Sequence, residues 1–420
     1  VLIGIVLLGG CADNTPYVNP FDRYYANLSP EPVETAPITD ETQQACNKFA
    51  ADLLQQLDKP GENLFFSPFA LMVVLGMTLN GAQGETHRQM VQALGYDPDQ
   101  FDEKAFNQQM YSLLNILKTA DDGVQLRWAN GVWVDQSIEP NAEFLRTVLS
   151  YYASQVFAAD FANNPNQAAR GINRWVSEQT NSMIDRLFEP SDIDADTAIV
   201  LVNALYFDAK WQHPFPPAAT RRAPFYLEGG GEKQVQMMIH EKLEIPYLQG
   251  DGFQAIALPY RIATGMDDSG FSFYLFLPDE EHTVGWLRER WTAENWRKWH
   301  KAFDKARLEL QMPRFNMVHQ CNLRDALIAV GMENACSPQL ADFGRMTTNQ
   351  EQMWIGKAFQ RSLVELDEQG TRAISIPILA QERSSRARPR LKIVVDRPFL
   401  FAIVHEQTGI VLFLGIVREP

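Results

Sequence analysis

Cysteine is scarce and scattered. Cys11, Cys46, Cys321 and Cys336 are the only four in 420 residues, and none stands in a CxxC pair. That spacing excludes a zinc ribbon and gives no sign of the disulfide framework that holds small secreted domains together. It leaves open whether Cys321 and Cys336 pair. Histidine is also sparse, with seven residues spread along the chain at 87, 213, 240, 282, 300, 319 and 405, and no GxSxG, HExxH or Walker-A pattern accompanies them. The sequence therefore offers no catalytic constellation, no metal site and no cofactor fingerprint. Positive charge is short as well: 37 Lys plus Arg stand against 52 Asp plus Glu, a net charge of -15. Such a balance opposes general binding to nucleic acid or anionic membranes, so any basic site is local.

Residues 1–10 form an apolar run too short to cross a bilayer as a helix. With Leu8, Gly9 and Gly10 before Cys11, residues 1–11 read as the end of a signal peptide and resemble a lipobox, at which Cys11 becomes a lipidated N-terminus. Either reading exports the protein, as a cell-envelope lipoprotein or as a secreted one. Ala12 favours the outer membrane over inner-membrane retention. Residues 12–38 carry Pro16, Pro20, Pro30, Pro32 and Pro37 among polar residues with no sustained apolar period, which predicts a flexible tether.

The folded domain is expected over 39–420. Asp40 and Gln43 suggest a capping box, followed by Cys46, Phe49, Leu53 and Leu57 at helical spacing. The apolar segment 71–78 predicts a buried helix. Ile172, Trp175, Val176, Met183, Ile184 and Leu187 mark one face of another helix, stopping near Pro190. Residues 124–135, 198–207, 271–277, the alternating 308–312, 359–363 and two runs about a Thr408–Gly409 turn read as strands. Helices dominate early and strands late, without repeat or second linker, so the reading is one α+β domain. One stretch breaks the pattern: residues 369–392 accumulate Gly, Pro, Ser and Arg between two strong strands, and a loop of that length in a compact domain is usually functional or disordered.

Several segments together resemble the serpin family: NLFFSPF at 63–69, INRWV at 172–176, LVNALYF at 201–207 with Trp211, PRF at 313–315, ADF at 341–343, VELDEQGT at 364–371, and DRPFLF at 396–401 with LFLG at 412–415. The resemblance covers roughly residues 40–420. It implies three β-sheets, about nine helices, and a reactive loop over about 369–395 that a serine protease cuts. In the family the cut loop inserts as a new middle strand of the main sheet and carries the acylated protease across the molecule, a case of strand addition.

The resemblance places the hinge at Glu368, Gly370, Thr371 and Ala373, where glycine permits the backbone swing and small residues can bury. The same match departs from inhibitory members at Arg372, Ile374, Ile376 and Pro377, and Pro377 lacks the amide that a central strand requires. Counting from Gly370 puts the reactive bond at Arg383–Ser384, with Arg386–Ala387 second and an elastase-like cut directed by Ser384 third. Residues 383–392 hold five cations and no acid, which fits the acidic specificity pocket of a trypsin-like protease. Ser67 and Asn203 match positions that knit the main sheet. Ala70 stands where a second hydroxyl is common, Gln360 where histidine is common, and Trp211 matches the tryptophan at the sheet top.

The expectation is thus a monomeric inhibitor of a trypsin-like serine protease, without enzymatic activity, cofactor or nucleic-acid partner, that meets a membrane only through the lipid on Cys11. A serpin-fold carrier whose loop is cut without trapping the protease is the alternative, and Pro377 supports it. Trp286, Trp291, Trp296 and Trp299 among Arg288, Arg290, Arg297 and Lys298 superficially resemble a stacking surface for single strands. Glu289 and Glu294 in the same segment favour amphipathic helices instead.

Overall fold

Residues 68–79 are apolar on every side, and a helix that is hydrophobic all round must be central; all twelve are buried. The computed structural model that shows this describes residues 30–118, 124–152, 155–179, 182, 186–189, 192–193, 197, 199–261, 270–349, 352–356, 358–371 and 391–420. Nine α-helices occur among the described residues: α1 (Asp40–Leu57), α2 (Pro68–Leu79), α3 (Gly84–Ala93), α4 (Glu103–Lys118), α5 (Ala142–Tyr152), α6 (Pro165–Gln179), α7 (Val284–Arg290), α8 (Ala293–His300) and α9 (Arg324–Ala329). The strands are β1 (Leu64–Phe66), β2 (Val124–Asp135), β3 (Gln155–Ala159), β4 (Ile199–Lys210), β5 (Arg221–Tyr226), β6 (Glu232–Gln249), β7 (Phe253–Pro259), β8 (Phe271–Pro278), β9 (Asp304–Pro313), β10 (Phe315–Asn322), β11 (Phe359–Leu366), β12 (Gly370–Thr371), β13 (Leu391–Val394), β14 (Phe399–His405) and β15 (Ile410–Val417).

One sheet has the order β10-β11-β12-β4-β2-β3. The other nine strands form a continuous ribbon, β1-β15-β14-β8-β7-β6-β9-β13 with β5 on β6. The ribbon is two sheets sharing one long strand. The start of β6 pairs with β5, its end pairs with β7, and its register shifts between His240 and Leu243. A bulge there increases the local twist and lets one strand serve two sheets, so the expected three sheets are present. β14 and β15 are buried at every position, as their unbroken apolar runs require. The main core lies around α2 and the two sheet faces, and a smaller core joins α6 to the six-stranded sheet through Trp133, Ile172, Val176, Val200 and Val202.

Two local expectations change. The cap of α1 is Thr39, whose hydroxyl accepts from the Thr42 amide at 3.2 Å. Gln43 reaches away to the Thr408 carbonyl instead of closing a capping box with Asp40. Helix α6 ends at Gln179 rather than near Pro190. The Ser182 amide returns to the Ser177 carbonyl at 2.7 Å, the six-to-one bond that closes a helix. The Asn173 side chain then holds the amides of Leu187 and Phe188 at 2.7 and 2.8 Å in a non-helical turn; Met183 and Ile184 lie outside the described residues.

The end of the expected tether is docked. The Glu31 amide donates to Ser150 Oγ and the Ala36 amide to Ser112 Oγ, both at 2.8 Å, and Gln109 bonds Pro37 O and the Thr39 amide at 3.0 and 2.9 Å. Residues 30–38 are therefore a strap across α4 and α5. Buried polar side chains of the two helices satisfy backbone groups of this polar, proline-rich segment.

Cys46, Cys321 and Cys336 are buried free thiols. Burial pushes Cys46 and Cys321 up to about 12 and Cys336 to about 11, which makes them unreactive packing residues. Trp291 and Trp296 are fully buried, while Trp286 and Trp299 pack against the core from its edge. The tryptophan-rich segment thus forms the amphipathic helices α7 and α8, with Arg290 stacked 3.9 Å from the Trp286 ring.

Candidate functional site at the sheet opening

Strand β11 leads into a tight turn at residues 367–369, and the chain re-enters the sheet at once. Asp367 is the reason for the turn. Its carboxylate accepts from the amides of Gln369 and Gly370 at 2.8 and 3.2 Å, and its own amide donates to Gly370 O at 3.0 Å. A short acceptor bonding its own backbone two residues on is a standard turn device. Burial pushes the Asp367 carboxyl above its usual range, against the opposing pull of those two amides.

Gly370 and Thr371 form β12, antiparallel to both neighbours: Thr371 is opposite Leu366 of β11, and Gly370 and Thr371 are opposite Lys210 and Ala209 of β4. Two strands each antiparallel to the same third strand are parallel to one another. Among the described residues β12 is what joins β11 to β4. A strand placed there can lengthen along two ladders at once. Gly370 is obligatory for packing: a Cβ at this position would lie 2.0 Å from the Ala209 carbonyl oxygen and 2.8 Å from Lys210 Cα, both immovable backbone.

The turn is gripped from outside. Trp211 donates its backbone amide to Gln369 O at 2.8 Å and its indole Nε1 to Asp367 O at 2.9 Å, and the Phe215 amide donates to Glu368 O at 2.8 Å. Trp211 is therefore a clamp on the hinge, a role that separates it from an ordinary core tryptophan. Glu368 accepts from the Thr220 hydroxyl at 2.8 Å and faces Arg314 at 3.6 Å. The Thr371 hydroxyl lies 2.5 Å from that of Tyr260, whose ring stacks on Trp211 with centroids 4.8 Å apart and planes at 8°.

Lower along β11 the sheet meets Ser67, which follows β1 of the ribbon and caps α2. Its hydroxyl accepts from the Ala70 amide at 3.2 Å and donates to Leu412 O at 2.6 Å. Gln360 of β11 closes a two-pronged clamp on the Ser67 backbone: the Ser67 amide donates to Gln360 Oε1 at 2.8 Å, and Gln360 Nε2 donates to Ser67 O at 3.1 Å. Gln360 is 2% exposed. The amide thus satisfies both the N–H and the C=O of one residue, which a single imidazole nitrogen cannot do, and Ala70 fills the second hydroxyl position with a buried methyl.

The structure brings Glu368, Gly370, Thr371 and Trp211 together at the sheet top and places Ser67 with Gln360 below them. Asn203 lies in β4 opposite Asn130, its side chain outside what is described. Cys11, Ala373, Pro377, Arg383, Ser384, Arg386 and Ala387 lie outside the described residues. The loop expected over 369–395 is narrower at both ends, because Gly370 and Thr371 belong to β12 and Leu391–Val394 pair in parallel with β9 as β13. Sequence reasoning missed Asp367, Thr220, Arg314 and Tyr260. An acid followed two and three residues later by bonded amides was a usable turn signal for Asp367; the others are brought in from more than fifty positions away, and nothing local marks them.

Residues 44–420 match the family described as Serpin (serine protease inhibitor). The leukocyte elastase inhibitor of Bos taurus is 31% identical over 391 residues, covering 91% of this chain and 100% of the relative. The native-state structure of tengpin, a thermophilic serpin, superimposes with a TM-score of 0.86 at 26% identity, covering 96% of this chain and 99% of that one. Thyroxine-binding globulin in complex with thyroxine gives a TM-score of 0.80 at 25% identity over 90% of this chain and 99% of that one. A parallel pair of strands with a glycine hinge seated between their ends, in a chain that matches the family over residues 44–420, identifies this protein as a member of the serpin family of serine protease inhibitors.

Proposed function

We propose that this serpin traps a trypsin-like protease as a suicide substrate, with Arg383–Ser384 as the reactive bond and Arg386–Ala387 as the second choice. The observation that carries this reading is β12, already seated antiparallel between β4 and β11 behind a residue that only glycine can fill. In the reaction, the protease serine attacks the Arg383 carbonyl, the peptide bond to Ser384 breaks, and the new amine leaves with the C-terminal segment. The chain from Arg372 to Arg383 is then free to extend β12. About twelve residues at roughly 3.3 Å each carry the acylated protease about 40 Å. The protein works as a monomer, exported and held at the cell envelope through the lipid on Cys11.

Pro377 favours a second reading, in which the loop is cut without trapping and the fold serves as a carrier. Proline in a central strand forfeits a ladder bond and leaves a buried acceptor unpaired, about 1–3 kcal/mol. Mixing the protein with equimolar trypsin separates the two. An SDS-resistant complex with a released peptide beginning at Ser384 or Ala387 supports the inhibitor; complete cleavage with trypsin still active and no gain in thermal stability refutes it and favours the carrier.

A further inference from the structure

Tyr260 follows the last residue of β7 in the nine-stranded ribbon and pairs antiparallel with Trp211, the residue after β4 of the sheet that opens. Its position is fixed on every side. The backbone amide donates to Phe271 O at 2.9 Å, the ring stacks on Trp211, and Phe207 meets it edge-on at 5.1 Å. Only 1% of it is exposed. Its hydroxyl has one partner among the described residues, Thr371 Oγ1 at 2.5 Å, and Thr371, 2% exposed, has no other side-chain partner there. Two buried hydroxyls, 111 residues apart in the chain, thus satisfy each other across the junction of two sheets.

We propose that Tyr260 is a positioning residue for loop insertion: its hydroxyl holds Thr371 inside the opening of the uncleaved protein and so sets the register in which the strand continues. The proposal rests on the loop-insertion reading above. Side chains alternate along a strand with a period of two, so a one-residue slip reverses every face. With Thr371 inward, Ala373 and Ser375 share its face and Arg372 takes the other. A slip by one would instead turn Arg372 toward Tyr260, setting a guanidinium against the buried, stacked rings of Tyr260 and Trp211, a costly burial. Thr371 supplies what the register needs: a side chain small enough for the sheet interior and a hydroxyl that only the inward arrangement satisfies.

Three variants test this: Tyr260→Phe, Thr371→Val, and the pair together, which replaces two partnered hydroxyls by two apolar groups of similar shape. Two readouts are taken, hydrogen exchange over residues 364–371 of the uncleaved protein and the moles of serpin consumed per mole of trypsin inhibited. Tyr260→Phe is expected to raise exchange at Gly370 and Thr371 about tenfold and serpin consumption several-fold, while exchange in β7 and β8 stays as in the wild type; the double variant returns both readouts towards the wild type. Unchanged exchange at 370–371 in Tyr260→Phe, or an equal rise throughout β7 and β8, overturns the positioning role. If the wild-type protein itself forms no complex with trypsin, the inhibitor reading fails on that result, and the exchange comparison still decides whether Tyr260 holds Thr371.

Discussion

Replacing Gln360 by methionine, similar in length and flexibility but unable to bond, isolates the clamp on Ser67. The Ser67 amide loses its acceptor at 2.8 Å in a site where both residues are 1–2% exposed. The Ser67 carbonyl loses the Nε2 donor at 3.1 Å but keeps the Leu71 amide at 3.3 Å. One buried donor left unsatisfied costs about 1–3 kcal/mol, and the second, replaceable bond adds about 1 kcal/mol. The expected loss is therefore about 2–4 kcal/mol. With a urea m-value of about 3 kcal/mol/M, the midpoint falls by roughly 1 M at unchanged slope. Exchange at the Ser67 amide should rise in parallel, because that group is the one orphaned. Val318→Thr, at a position 61% exposed on β10, serves as the control and should leave the midpoint unmoved. A Gln360→Met midpoint within about 0.2 M of wild type, with the Ser67 amide still protected, would refute the clamp and the stabilising role given to glutamine here.

Acid should weaken the fold in two stages. Burial lowers His405 to about 4, so between its ordinary pKa of 6.5 and 4 the unfolded chain binds a proton that the folded one refuses; stability falls through that window by at most about 3 kcal/mol from this residue, and His405→Gln should flatten the decline. Burial tends to raise Glu103, but bonds from His87 and Arg345 overcome it and hold the carboxyl near 2, below its ordinary 4.5, so a further loss begins as pH drops below 4.5; urea midpoints taken from pH 7 to 3 check both. Starting the chain at Thr39 instead of Pro30 strips the strap from α4 and α5. Loss of the bonds to Ser150, Ser112 and Gln109 should cost about 1 kcal/mol each, read as a lower urea midpoint; equal stability with and without residues 30–38 would show that the strap holds nothing.

Much of the fold was legible because it is written in near neighbours. The apolar runs of β4, β14 and β15, the alternation in β9, the all-apolar α2 and the turn at Thr408–Gly409 each follow from a period of two or 3.6 residues, or from a residue permitted at positive φ. The hinge was legible in part, since the resemblance singled out Glu368, Gly370 and Thr371. Why glycine is needed was not, because the atoms that exclude a Cβ belong to Ala209 and Lys210. The α6 boundary was misread for a similar reason: Asn173, a mid-helix residue, spends its side chain on Leu187 and Phe188 and draws them out of the helical pattern.

The sequence by itself determined an acidic α+β domain with one arginine-rich segment between strong strands, because composition and periodicity are properties of contiguous residues. Only the tertiary structure decided that β6 serves two sheets, that residues 30–38 dock, that Trp211 grips the hinge, that Gln360 closes on Ser67, and that Tyr260 meets Thr371. Apart from the β6 ladders, those pairings join residues many positions apart through a few hydrogen bonds each. No local pattern encodes such a bond, because either partner alone looks like any other buried polar residue until the fold places an acceptor opposite a donor.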